Sequence, residues 1–163
     1  MARTDFHKVV IGRAEMLTFI EPSIEHVPAK TDTGAYRSAV HADKIKISQD
    51  GKTLSFRLLG GHPYYGNAAM EITTDAFEKV TVENSFGQSQ DRYEVRMRVK
   101  LGPKVFSARF TLADRSKKTY PILLGRKLLN GRFLVDTAET SIDRAELKRL
   151  YGLELPMDEE EGK

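Results

Sequence analysis

The residues with the clearest chemical potential lie in the segment 29–35, whose sequence is AKTDTGA. Strand-like residues precede this segment and the apolar stretch 38–42 follows it, so the sequence predicts that Asp32 lies on a tight turn between two strands. Gly34 would let a backbone or a substrate approach closely. An ordinary β-turn that begins with an aspartate is the alternative interpretation, because aspartate is common there.

A second informative segment, 120–129, has the sequence YPILLGRKLL. Its apolar residues predict a buried strand that ends at Gly125 and Arg126 and opens a short helix ending near Asn130. We therefore expect one early aspartate-bearing turn and one later strand that ends in Gly-Arg.

Most of the chain alternates apolar and polar residues with period two, which is typical of strands. Residues 43–59 predict a β-hairpin around Asp50-Gly51, and residues 92–101 predict a strand with one polar, solvated face. Residues 60–69 predict a loop, and residues 141–151 predict a helix with Thr140 or Ser141 as its N-cap. Many short strands and few helices favour a mainly β fold, a small barrel or sandwich.

The composition limits the classes of function. The 163 residues fit one domain, predicted over 1–155 with a disordered acidic tail at 156–163. The absence of cysteine excludes disulfides and thiolate metal sites and is compatible with a cytoplasmic location. The net charge is only +3, with interleaved cations and anions, which does not favour a nucleic-acid partner. We see neither a secretory signal nor an apolar run that could span a membrane.

Taken together, the segments 29–42, 92–102 and 111–136 resemble the retropepsin family of aspartic peptidases. They resemble in particular a bacterial branch labelled "ATP-dependent zinc proteases" and found beside ATP-grasp glutamate ligases. The resemblance implies a small closed or partly open β-barrel, with one short and one C-terminal helix. It also implies a homodimer in which each subunit contributes one Asp32, and it implies no cofactor and no metal.

The resemblance also implies roles for individual residues. Two Asp32 carboxylates would share one proton and activate a water that attacks a peptide bond. Thr33 would form inter-subunit hydrogen bonds and Gly34 would lie near the substrate backbone. Residues 82–95 would form a flap over the substrate. The expected substrate contacts are Ala35, Tyr36, Arg37, Phe86 and Gly87, with Gly125 and Arg126 supporting the site.

One position departs from the family pattern. The residue after Asp-Thr-Gly-Ala is usually an aspartate that pairs with the arginine of the Gly-Arg segment, but here it is Tyr36. Arg126 then needs another partner, for which the sequence offers Glu15, Asp114 and Asp136. Arg37, which follows Tyr36, could hold a carboxylate through two hydrogen bonds. This predicts a preference for peptides with Asp or Glu beside the scissile bond, such as Glu-rich peptides; the alternative is that Arg37 faces solvent.

The label "zinc" finds little support in the four histidines, which lack the spacing of an HExxH motif, and no P-loop is present for ATP. We expect His41 to be a structural hydrogen-bonding residue and His62 to be exposed in its Gly/Pro loop. Two alternatives to a peptidase stay open. One is a non-catalytic retropepsin-fold dimer that binds peptides or a glutamate-ligase partner. The other is a metal-dependent hydrolase that uses Asp32 and His41.

Overall fold

The computed structural model describes residues 8–84, 86–142 and 144–151, and strands dominate this part of the chain. A 3-10 turn covers Gly66–Ala68. The strands and α-helices of the described residues are β1 Val9–Ile11, β2 Ala14–Phe19, β3 Ile24–Thr31, β4 Ser38–Ile47, β5 Leu54–Leu58, β6 Met70–Thr74, β7 Phe77–Glu83, β8 Ser89–Leu101, β9 Lys104–Ala113, β10 Ile122–Leu124, α1 Arg126–Leu129, β11 Phe133–Val135 and α2 Arg144–Tyr151.

Six strands close into a barrel in the order β10-β3-β2-β8-β9-β4, because β10 pairs with both β3 and β4. The β10–β3 and β4–β9 pairs are parallel and the others are antiparallel. The predicted mainly β barrel with one short and one C-terminal helix is therefore confirmed. β5 and β6 extend the sheet beyond β4, and β1 pairs in parallel with β11 as a separate two-stranded sheet.

The period-two pattern of β8 explains how the barrel is filled. Val95, Met97, Val99 and Leu101 are buried, while the cations between them are exposed. Inside the barrel, Phe19 and Phe110 meet edge to face with ring centroids 5.9 Å apart. Burying one such side chain stabilises the fold by about 1.5–3 kcal/mol, so the inward-facing residues of β8 contribute to the driving force for closure.

β8 is longer than the barrel needs, and this produces a projecting hairpin. Its second half pairs with β2 and β9, whereas residues 89–93 pair with β7. The Asn84 side chain closes the turn by accepting hydrogen bonds from the backbone N–H groups of Phe86 and Gln88. Gly87 there has a φ of 77°, a conformation that glycine adopts without strain. The predicted hairpin is confirmed as a structure; Ser85, at its predicted tip, lies outside the described residues.

Other sequence predictions hold with shifted boundaries. β4 and β5 form the predicted antiparallel hairpin, and the predicted strand 38–42 is continuous with its first strand, so that β4 runs from Ser38 to Ile47. α1 follows Gly125 as predicted. α2 begins at Arg144 rather than at 141, and the Thr140 hydroxyl donates to the carbonyl oxygen of Ile142 instead of capping the helix. The predicted acidic tail, 156–163, lies outside the described residues. No helix in the described ranges is long and apolar enough to cross a membrane.

Candidate functional site

The Asp32 turn lies where β10 is inserted between β3 and β4. Thr31, the last residue of β3, is in register with Leu124, and the Asp32 backbone N–H donates to the Leu124 carbonyl oxygen at 2.9 Å. Asp32 Oδ1 accepts the Gly34 N–H at 2.9 Å, and the Ala35 N–H donates to the Asp32 carbonyl oxygen at 3.2 Å. The expected tight turn between two strands is present, with the carboxylate half-buried and its orientation fixed by the turn itself.

Gly125 lets the end of β10 press against this loop. Its N–H donates to Ser38 Oγ at 2.9 Å. A Cβ at this position would lie 2.5 Å from the Arg37 carbonyl oxygen and 2.9 Å from that of Tyr36, too close for any side chain. The N–H groups of Arg126 and Lys127 then donate to the carbonyl oxygens of Ala35 and Tyr36, at 2.8 and 2.9 Å. The loop after Asp32 is thus docked, backbone to backbone, on the first turn of α1.

The Arg126 side chain also contacts the loop. Its guanidinium donates to the Thr33 carbonyl oxygen at 2.9 Å and stands 5.9 Å from the centroid of the Tyr36 ring. The sequence offered three carboxylates as its partner, and the structure pairs it instead with a backbone carbonyl and an aromatic ring. Those carboxylates accept hydrogen bonds from nearby backbone N–H groups: Glu15, Asp114 and Asp136.

A groove of about 710 Å³ separates the Asp32 loop from the projecting hairpin. Four predicted site residues line it from the loop side, and strands β7 and β8 supply the opposite wall. Phe86 and Gly87 lie beyond the groove at the hairpin tip, where Phe86 is 88% exposed. The residues that line the groove are Gly34, Ala35, Tyr36, Arg37, Ala39, Thr81, Val82, Glu83, Arg92, Thr111, Leu123 and Arg126.

Arg37 lines the groove, but its charge is already engaged. Its guanidinium donates to Glu94 Oε2 at 2.7 Å, and Lys127 Nζ lies 3.4 Å from the other carboxylate oxygen. The Glu94 side chain is only 2% exposed. The side chain is therefore paired with Glu94 rather than simply facing solvent, and its predicted contact with substrate stays a prediction. Glu94 was also assigned by its alternation to the solvated face of β8, and that assignment was wrong.

The two central histidines are both structural, and His62 corrects the sequence prediction. His41 Nε2 lies 2.7 Å from the Gly60 carbonyl oxygen, and its Nδ1 accepts the Arg115 N–H, so both ring nitrogens are engaged, as expected. His62 was predicted to be exposed but is buried against His41 and Tyr65. Burial, and then the neighbouring His41, lower the pKa of His62 to about 4. Among the described residues, no three His, Asp or Glu side chains gather as a metal site.

Known proteins match this chain in sequence and in fold. The model of the RimB-like family, described as retropepsin-like aspartic endopeptidase RimB, matches residues 10–146. A protein of unknown function, Lpg0085 from Legionella pneumophila, has a crystal structure with a TM-score of 0.63 and 28% identity, over 80% of this chain and 95% of that one.

Two curated relatives are each named "Probable alpha-L-glutamate ligase". The protein from Desulfotalea psychrophila is 32% identical over 82% of this chain, and the protein from Shewanella pealeana is 27% identical over 90%. These matches cover 29% and 33% of the relatives, so the chain spans about a third of their length. Because the family match covers the barrel, the Asp32 turn, the hairpin and the Gly-Arg segment, the chain belongs to the RimB-like family of retropepsin-like aspartic endopeptidases.

Proposed function

We propose that this protein is a homodimeric aspartic endopeptidase in which each subunit contributes Asp32 to one shared site. The observation that carries the proposal is the Asp32-Thr33-Gly34 turn, fixed by its own backbone hydrogen bonds beside a groove walled by a hairpin. The described chain holds one such turn, so a second carboxylate for the same water would come from another copy across a two-fold axis. Thr33 is exposed, as a residue in contact with that copy would be in the isolated subunit.

The chemistry needs two carboxylates in different protonation states. The ionised carboxylate takes a proton from water as the water oxygen attacks the peptide carbonyl carbon, and the protonated one donates to the carbonyl oxygen. The tetrahedral intermediate then collapses: the C–N bond breaks, the carboxyl that took the proton from water gives it to the leaving nitrogen, and the other carboxylate takes back a proton from a hydroxyl of the intermediate. Two carboxylates at such short range do not both ionise cheaply, which is why one proton stays between them.

We also propose that the substrate is a peptide with acidic side chains near the scissile bond. Arg92 on β8 and Arg126 on α1 both line the groove, and arginine binds carboxylates through charge-assisted hydrogen bonds. Because Glu94 holds Arg37, these two arginines replace it as the expected specificity residues. The relatives named as glutamate ligases suggest a substrate or partner related to glutamate addition, and a ligase is a reasonable binding partner to test.

The test is digestion of a peptide library by the purified protein, with and without EDTA. We expect cleavage beside Asp or Glu that survives the chelator. Arg92→Gln should weaken the acidic preference about tenfold, the loss of roughly one charge-assisted hydrogen bond. Arg98→Gln, an exposed cation on β8 outside the groove, is the matched control. Full loss of activity in EDTA with rescue by zinc would instead support a metal-dependent hydrolase.

A second candidate function is a non-catalytic dimer that binds acidic peptides or a glutamate-ligase partner. Tyr36, in place of the family's usual aspartate, and the ligase names of the longer relatives favour it. It predicts that acidic peptides bind in the groove without being cleaved, and that Arg92→Gln weakens binding. Calorimetry on the same peptides separates the two functions.

A further inference from the structure

Glu94 occupies the point where the hairpin leaves the barrel. It is in register with Thr111 on β9 and with Glu78 on β7, and the residues of β8 before it pair only with β7 in the described structure. A constraint on the Glu94 side chain therefore acts at the base of the hairpin.

The Glu94 carboxylate is surrounded by cations. Arg37 Nη1 and Lys127 Nζ lie 2.7 and 3.4 Å from its two oxygens, and Arg109 Nη1 lies at 4.0 Å. Arg109 also reaches Glu78, at 3.7 Å, on the exposed side of the hairpin. A carboxylate that is buried this deeply is stable only when its charge is paired and its hydrogen bonds are formed, so these contacts are required wherever Glu94 stays buried.

Two of these cations lie close to the ring of Tyr36. The Arg37 guanidinium and Lys127 Nζ lie 5.7 and 6.0 Å from the centroid of its ring, distances at which a cation is attracted to an aromatic face. Arg37 belongs to the loop that follows Asp32, and Lys127 belongs to α1, on which that loop is docked. One carboxylate therefore links the hairpin base, the loop and the helix.

We propose that Glu94 is a positioning residue of the site. It holds Arg37 and Lys127 in place beside the Tyr36 ring at the wall of the groove, and it couples the hairpin to the Asp32 loop. The acid is on β8 and two of its cations are in the loop and on the helix, so this contact adds a link to the hairpin base to the backbone hydrogen bonds that dock the loop on α1.

The first test measures the loop directly and does not depend on catalysis. In Glu94→Gln, hydrogen exchange at the backbone N–H groups of Arg126 and Lys127, which donate to the loop, should be about tenfold faster or more because local opening becomes easier. Glu78→Gln, which removes the exposed carboxylate of the same cluster, should leave these rates unchanged. Unchanged rates in Glu94→Gln would overturn the proposal.

Arg37→Gln tests the same contact from its other side and keeps the test decisive if Glu94→Gln does not fold. It should accelerate hydrogen exchange at the same two backbone N–H groups. Exchange in the double variant should be no faster than in Glu94→Gln alone, since both changes remove the Arg37–Glu94 contact. An additive effect, or no effect of Arg37→Gln, would contradict a shared role.

The activity measurement rests on the proposed peptidase function. Glu94→Gln should raise KM several-fold with a smaller change in kcat, whereas a purely structural defect would lower the active fraction and leave KM unchanged. Glu94→Asp, which keeps the charge, should bring KM part of the way back to the parent value. If the parent protein cleaves no peptide, the peptidase function fails, but the exchange experiment still decides whether Glu94 positions the loop.

Discussion

At the scale of single residues, the site depends on one close backbone approach. Only glycine fits at position 125, because a Cβ there would collide with the carbonyl oxygens of residues 36 and 37. The N–H groups that follow it hold the loop that carries the catalytic candidate. The geometry of Asp32 therefore depends on a residue that takes no part in the chemistry.

Gly125→Ala is expected to destabilise the fold by about 1–3 kcal/mol, the usual cost of overpacking, and to reduce peptidase activity more than stability alone explains. Urea unfolding and peptide cleavage measure the two effects. Gly66→Ala is the matched control, because a Cβ there would meet no atom closer than 3.8 Å and the residue does not have a positive φ. Equal stability and activity in both variants would show that the loop does not need this approach.

The sequence singled out residues of the Asp32 turn and the Gly-Arg segment, which the structure brings together, but it did not single out Glu94. Asp32, Gly34, Gly125 and Arg126 stand in short segments whose order is itself informative. Glu94 reads as one more polar residue in an alternating strand, and its burial depends on Arg37, 57 positions away. Period-two alternation carries no signal for such a partner.

At the scale of elements, the hairpin of β7 and β8 projects from the barrel and forms one wall of the groove, and its role as a flap over a substrate stays a prediction. Beyond the barrel edge its two strands pair only with each other in the described structure, and Phe86 at its tip is almost fully exposed. An exposed aromatic side chain at that position contributes little to the free energy of unfolding of the subunit, but it can contact a substrate or a second copy.

Phe86→Ala should lower kcat/KM about tenfold while leaving the free energy of unfolding of the subunit within about 0.5 kcal/mol of the parent, because surface positions contribute little to stability. Val105→Ala, an exposed apolar residue of β9 that does not line the groove, serves as the comparison. If both variants cleave peptides as fast as the parent, the hairpin tip does not act on the substrate.

Elements with strong local signals were predicted well. The alternation of β8 and the Asp50-Gly51 turn between β4 and β5 define their strands without reference to the rest of the chain. The β1–β11 pair was not predicted, since two three-residue parallel strands far apart in sequence leave no periodic pattern. The sequence placed the start of α2 at 141 because Thr140 and Ser141 are typical N-cap residues. In the structure the Thr140 hydroxyl donates instead to the Ile142 carbonyl oxygen, and α2 begins at Arg144.

At the scale of the whole molecule, the buried His62 is one group that makes the stability of the fold depend on pH. His62 Nε2 lies 3.0 and 3.2 Å from the carbonyl oxygens of Arg115 and Lys118, and its Nδ1 accepts the Tyr64 N–H. Its pKa of about 4 lies below the ordinary value of 6.5, so between these pH values the unfolded chain binds more protons than the folded one.

The contribution of His62 to the free energy of unfolding should therefore be fully present above about pH 6.5 and fall as the pH drops toward 4. The expected loss from this group alone is about 1–3 kcal/mol. Urea unfolding across this range measures the loss, and an NMR titration measures the pKa of His62. His62→Gln should flatten the dependence between pH 6.5 and 4, whereas His26→Gln, at an exposed position, should not. A His62 pKa near 6.5 would contradict the account.

The most direct test of the central claim is subunit mixing. Parent protein and Asp32→Asn are mixed in varying ratios at constant total protein concentration and equilibrated, and peptide cleavage is measured against the parent fraction. If two Asp32 carboxylates form one site, mixed dimers are inactive and the rate falls as the square of that fraction, with Asp32→Asn alone several orders of magnitude slower than the parent. A rate that falls in direct proportion to the parent fraction, or an active Asp32→Asn protein, would contradict a shared aspartate site.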